Sequence, residues 1–451
     1  MPVNRKIFGY VLVLIAAFMF VGLAGWYFFL NQQSKTITAT DASRGLGSDD
    51  SSFKSTVGNT YNNIVSGITT LINGTSTPET QSGTAPPQLW QITKTPVAGM
   101  AFVGTGLSTR LYFAESSTGY VLTANPETGA LMRLTNKLLP KTQEAVFAGD
   151  GSVVLRSVND TGDIVSFAGV ISSSTELTKT GGFATFSGKY LERNISAIVS
   201  APYTRELLYI KKDSLGGAVG TLSSWDGVKK KNIFSSPISG WRSISLADGR
   251  AFFVLQPADN VPGFAYELKS NGTLAPQVRG VPGLTFLPNT SSTAVLYGES
   301  ENGSLTLFAR VRDDATTFSL PIRTVADKCV WSTETPAFEQ STTTAKVSSK
   351  KPSSIVKPLI AYCAVPQFVV SNTFLNDWYK GAIHTSDSWW RVDVSADTVE
   401  LIFQGEPGRV VDVENPVMDG GGKYIAFVNS ADKTLWLLRL KPEGETTKTT
   451  P

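Results

Sequence analysis

The sequence contains one histidine, His384, and two cysteines, Cys329 and Cys363, in 451 residues. That scarcity removes several chemistries. Any Ser/His/Asp relay has to run through His384, and no Gly-x-Ser-x-Gly elbow accompanies it. Two widely spaced cysteines without companion histidines do not make a tetrahedral ligand set, so no metal site is expected. An excess of one charge is also lacking: 40 Lys and Arg stand against 37 Asp and Glu, a net charge of +3. This balance is too even for a nucleic-acid surface, and nucleic acid is not an expected partner. No phosphate-cradling glycine loop and no calcium-loop spacing occurs, and no cofactor is expected. The absences leave one enzymatic arrangement open, a pair of carboxylates brought together from distant parts of the chain, as in a hydrolase. Long helix-favouring runs are missing as well. The abundant Ser, Thr, Gly and Val fit short strands joined by tight turns, and the fold class is read as all-β.

Near the N-terminus, residues 7–30 form an uncharged stretch of about 24 residues, enough to cross a hydrocarbon core of about 30 Å. Arg5 and Lys6 precede it and no Lys or Arg follows until Lys35, so residues 1–6 are expected as a cytoplasmic tail and the rest of the chain outside. Trp26, Tyr27, Phe28 and Phe29 match an interfacial aromatic belt. The alternative is a cleaved signal peptide with Gly22 and Ala24 at the cleavage site. Residues 31–87, rich in Ser, Thr, Asn and Gly, have too few apolar residues for a core and read as a flexible stalk. Within the stalk Phe53, Val57, Tyr61, Ile64, Ile68 and Leu71 recur at spacings of three and four, which predicts a short amphipathic helix over 51–72. Residues 442–451 read as a disordered tail.

From residue 88 to 441 a unit of alternating apolar strands and Gly/Asp/Asn turns repeats every 45 to 50 residues or so, the signature of a β-propeller. Six blades are expected near 97–136, 142–185, 193–236, 238–279, 281–321 and 323–404. A seventh combines Arg409–Asp412, Tyr424–Asn429 and Thr434–Leu440 with the early segment 88–94, which would close the ring by pairing with the C-terminal blade. Six or eight blades are the alternatives.

These repeats resemble those of WD-like and TolB-type β-propellers, although the Gly-His and Trp-Asp dipeptides of true WD repeats are absent at blade ends. The runs STGYVLTANPETGALMRLTNKLLPKTQEAVF from Ser117, ADKCVWS from Ala326 and LNDWYKGAIHTSDSWWRVD from Leu375 are similar to membrane-anchored propellers of candidate-phyla bacteria. That resemblance implies a bacterial envelope protein, single-pass in the cytoplasmic membrane with its propeller on the extracytoplasmic side. It carries no activity and no residue roles.

Cys329 and Cys363 fall in strands expected to be neighbours in one blade, and outside a membrane such a pair should oxidise to a disulfide. The alternative is two buried thiols. The loop between them, Thr333 to Pro358, is rich in Ser, Thr and Lys and reads as disordered.

For function, the strongest local candidate is Phe374 to Trp390, expected as a connection between the second and third strands of the sixth blade. Trp378, Tyr379, Trp389 and Trp390 supply aromatic area, while Asp377, His384 and Asp387 supply polar contacts. Two readings stand: a site for a protein or glycan partner in the envelope, or a structural plug over the blade end. The expected function is a binding or scaffolding module held to the membrane by its N-terminal helix. The alternatives are an extracytoplasmic glycan or peptide hydrolase using channel carboxylates, or a structural subunit of an envelope assembly.

Overall fold

The structure, a computed structural model, describes residues 87–172, 183–201, 204–247, 250–269, 273–311, 317–333, 359–406 and 408–440. The expected membrane span, the stalk with its helix, most of the Lys-rich loop and the C-terminal tail lie outside the described residues. Among the described residues no helix is long and apolar enough to cross a membrane.

The described chain forms seven four-stranded antiparallel sheets, and the fold is an all-β, seven-bladed β-propeller. Six blades lay down their strands a to d in chain order, over 97–133, 142–190, 195–236, 241–282, 285–320 and 329–403. The first strands of neighbouring blades lie against one another, which makes strand a the innermost. The seventh blade takes its first three strands from 413–439 and its outermost from Leu89–Gln91. There Leu89 pairs with Leu438 and Gln91 with Trp436, and the Arg439 N–H donates to the Gln88 carbonyl at 2.7 Å.

Several boundaries differ from the sequence reading, among them the start of blade 6, which is Cys329 rather than 323. The last strand of blade 2 is Thr185–Tyr190. Blade 4 runs to Pro282, because its nine-residue outer strand absorbs register shifts and a positive φ at Gly280. Blade 7 starts at Val413 rather than Arg409, because the Asp412 N–H is taken by the Asn429 side chain at 2.9 Å and does not enter the ladder.

Burial follows position in the blade. Second strands are sandwiched by neighbouring blades on both faces, so they read as continuous apolar runs, as in Leu207–Ile210 and Ala251–Val254. Third strands alternate, as in SLTLFARV from Ser304. The core is therefore a ring of clusters between blades. Trp389, Tyr362, Phe427 and Trp436 fill the junction of blades 6 and 7, and Leu111, Phe113, Leu435 and Leu437 that of blades 7 and 1. Asn302 and Gly303, both at positive φ, make a two-residue hairpin in blade 5. Cys329 and Cys363 are register partners on the first two strands of blade 6 and are joined by a disulfide, as their expected strand pairing implied.

Antiparallel order sends the connections between blades and those between strands b and c to one end of the strands, here called the cap face. Strand Leu89–Gln91 begins, and strand Leu435–Arg439 ends, at the opposite face.

Candidate functional site

The b–c connection of blade 6 does not cross the cap face as one loop. It contains a six-residue helix α1, Phe374–Tyr379, and ends where strand Asp387–Asp393 begins. Trp389 and Trp390 therefore belong to a strand and not to the connection. Trp389 is buried in the blade 6–7 core against Phe427, and Trp390 packs on the other side of the sheet, toward blade 5. Consecutive strand residues point to opposite faces, so the two tryptophans cannot share a site.

Helix α1 ties four blades together. Phe374, Leu375 and Trp378 form a buried cluster with Leu305 of blade 5 and Val325, which precedes blade 6. The Asn376 N–H donates to Asp259 Oδ2 of blade 4 at 2.9 Å. Tyr379 donates its hydroxyl to Asp327 Oδ2 at 2.7 Å, and Arg242 on the innermost strand of blade 4 meets the same oxygen at 3.1 Å. The Trp378 indole N–H lies 3.0 Å from both carboxylate oxygens of Asp412, at the entry to blade 7. Asp377, half-buried, accepts from the Thr373 hydroxyl at 2.7 Å.

Beneath the helix lies a buried ionic network. The Lys328 ammonium, with no solvent exposure, donates to Asp387 Oδ2 at 2.6 Å, to Asp412 Oδ1 and to the Thr385 hydroxyl at 2.9 Å. It also lies 4.9 Å from the centre of the Trp378 ring. Thr385 donates to Asp412 at 2.8 Å, and the Val413 N–H to Asp387 at 2.9 Å. His384 Nδ1 stands 3.1 Å from Asp412 Oδ2, and its side chain reaches solvent, at 29% exposure.

The two carboxyls are driven apart. Burial raises both, but Lys328 and the bonds from Lys328, Thr385 and Trp378 more than offset it at Asp412, which is held below the ordinary carboxyl value of 3.8. At Asp387 burial outweighs the pull of Lys328 and of the Val413 N–H, and its carboxyl is pushed up. One ammonium facing two carboxyls accounts for this asymmetry, and Asp387 Oδ1 is buried without a hydrogen-bond partner. In the second cluster burial works against the Arg242 charge, yet Asp327 and Tyr379 overcome it and hold the guanidinium ionised. Burial and Asp327 push the Tyr379 hydroxyl well up.

Of the residues named from sequence, the structure thus gathers Trp378, His384 and Asp387 around Lys328 and Asp412, places Tyr379 in the neighbouring Arg242–Asp327 cluster, and separates Trp389 and Trp390 from both. Lys328, Asp412, Arg242 and Asp327 are absent from the candidate site residues named from sequence. Lys328 left one local signal: a charged pair, Asp327-Lys328, directly before the strand Cys329–Trp331, between the buried residues Ala326 and Cys329. Chemically the network is a fastening, since its donors and acceptors, Asp387 Oδ1 apart, are spent on one another. Among the described residues no group of three or more His, Cys, Asp or Glu is placed to hold a metal ion.

The cap face also presents apolar side chains to water. Phe368 and Val369 are on the connection that carries α1, Val410 is on the connection into blade 7, and Leu138, Leu215, Ile238 and Val261 are on other connections of that face; Val369 and Leu215 are 92% and 94% exposed. On the connections of the opposite face, Phe183 and Val228 are the exposed large apolar residues among those described.

No protein-family model matches the chain, and no curated protein does. Solved structures that resemble it include virginiamycin B lyase from Staphylococcus aureus, 12% identical over 78% of this chain and 98% of that one, TM-score 0.43. The β-propeller domain of the Trilobed protease from Pyrococcus furiosus is 10% identical over 79% of this chain and 100% of that one, TM-score 0.44. An oligogalacturonate lyase in complex with manganese is 10% identical over 74% and 86%, TM-score 0.43. At such identities the propeller fold is the common ground, and none of their chemistry is carried to this chain.

Proposed function

We propose that this chain is a membrane-anchored, extracytoplasmic β-propeller of the cell envelope that acts as a protein-binding or scaffolding module through its cap face. The observation that carries the reading is the uneven placing of exposed large apolar side chains among the described connections: Leu138, Leu215, Ile238, Val261, Phe368, Val369 and Val410 lie on those of the cap face, and Phe183 and Val228 on those of the other. An excess of large exposed apolar groups on one side of a fold favours that side for interaction. The anchor rests on the uncharged stretch 7–30 and the Arg5-Lys6 pair before it. The described chain enters the propeller at Leu89 and leaves it at Arg439, both at the opposite face. A hydrolase would need convergent carboxylates free to exchange protons, but Asp387 and Asp412 are bound to Lys328 and Asp327 to Arg242 and Tyr379.

The test is site-specific photocrosslinking of the full-length chain in its native cells. A photoreactive residue at Leu215 or Phe368 should crosslink to a protein partner, and one at Val228 should not. Crosslinks from Val228 alone, or from none of the three, would overturn the reading.

A further inference from the structure

The cap face carries a cavity of about 190 Å³ where the connections of blade 4 approach blade 5. Its floor is Leu255 and Leu284, and its walls are Ile238, Pro257, Val261 and Pro262. Leu284 is fully buried, while Ile238 and Val261 are about half exposed. No residue lining the cavity carries a charge. Asp259, the ionisable residue on the adjoining connection, is buried and spent: its carboxylate accepts from the Ser300 hydroxyl at 2.7 Å and the Asn376 N–H at 2.9 Å. At the mouth, the backbone of Gly240 faces open space, with no atom within 4 Å of where a Cβ would stand. Ser239 and Gln256 are exposed at the rim and offer a hydroxyl and an amide.

Size and charge together select the occupant. Small-molecule sites run from about 300 to 1,000 Å³ and enclose most of their ligand. This one is smaller and open, the right scale for a single side chain. A charged group would be stripped of water here with no counter-ion to meet it, so the complementary group is uncharged. Ile238 and Val261, half exposed on the cavity wall, would pack against that side chain, the arrangement in which one buried anchor dominates an interface. We infer that this cavity is the anchor pocket for one large apolar side chain carried on an uncharged segment of a partner polypeptide, with Ser239 and Gln256 meeting the segment's main chain. The inference rests on the cap face being the binding face and adds where on it the partner is held.

The test uses the full-length chain in lipid nanodiscs and phage-displayed random dodecapeptides as probe. Selected peptides are synthesised, and their affinities measured for the wild type, Ile238→Asp, Val261→Asp and, as a distant control on the same face, Phe368→Asp. All three positions are exposed, so the melting temperature should stay at the wild-type value. The expected result is a shared large apolar residue without adjacent charges, with Ile238→Asp and Val261→Asp each weakening binding about tenfold or more and Phe368→Asp leaving it unchanged. Peptides that respond to Phe368→Asp alone would overturn the pocket while keeping the cap face as the binding face. Peptides insensitive to all three substitutions, or no enrichment at all, would overturn the pocket as well, and the crosslinking from Leu215 and Phe368 then decides the cap face by itself. A dimer of this chain lost in Val261→Asp would also overturn it, since the occupant would be a second copy.

Discussion

Lys328, Asp387 and Asp412 show how burial divides the labour within one small group of charges. Two carboxyls compete for one ammonium, and the one with more donors around it is held below the ordinary carboxyl value while the other is pushed above it. The consequence is a pair of opposite pH dependences. Asp412 is depressed in the folded state, so its stabilisation is present above the ordinary value of 3.8 and is lost as the pH falls through the folded value. Asp387 is raised, so its contribution is present below 3.8 and is lost as the pH rises through its folded value. Asp412→Asn should therefore cost more stability at neutral pH than in acid, and Asp387→Asn should cost less at neutral pH than in acid. Denaturant unfolding of both variants across that range checks this; slopes of the same sign would refute the division. From sequence, Asp387 and His384 were legible as polar groups near aromatics. Their partners were not, because Lys328 lies 59 residues from Asp387 and 84 from Asp412, and no local pattern links them.

At the scale of elements, α1 exists because of what it touches. Six residues make less than two turns, too few for a helix to hold in water, and no side chain caps its N-terminus. Its stability comes from Phe374, Leu375 and Trp378 buried beneath it and from bonds to Asp259, Asp327 and Asp412. Trp378→Ala removes a buried aromatic ring together with a donor to a buried carboxylate. It should destabilise the propeller by about 3–5 kcal/mol and lower the melting temperature by several degrees. A thermal unfolding curve that moves by less than a degree would mean that the helix merely rests on the cap face. The blades, in contrast, were legible as units, because alternation and Gly/Asn turns are local properties. Two of the boundaries that moved did so where a bulge in Leu274–Pro282 or a side-chain bond at Asp412 intervened.

For the whole molecule the decisive feature is closure. Leu89–Gln91 supplies the outer strand of the last blade, and the Leu435 N–H donates to the buried Thr93 hydroxyl at 3.0 Å, so the first described strand is sewn to the last. Deleting residues 88–91 would leave the edge of Leu435–Arg439 open and remove the half-buried Leu89 and Trp90. The expected cost is about 2–3 kcal/mol from the two side chains alone. Hydrogen exchange should show the amides of Leu435–Arg439 losing protection before those of blades 2 to 5. Uniform protection around the ring would show that closure does not depend on this strand.

The sequence by itself determined the repeating blade, its turn positions and the pairing of Cys329 with Cys363, because each follows from a pattern read within a few dozen residues. Only the tertiary structure decided which polar groups share the space beneath α1, which tryptophans are core and which apolar side chains are left on the cap face. Those outcomes depend on side chains from blades 4 to 7 meeting across the ring, and the energy of such a meeting lies in burial and in charge, neither of which a linear pattern records.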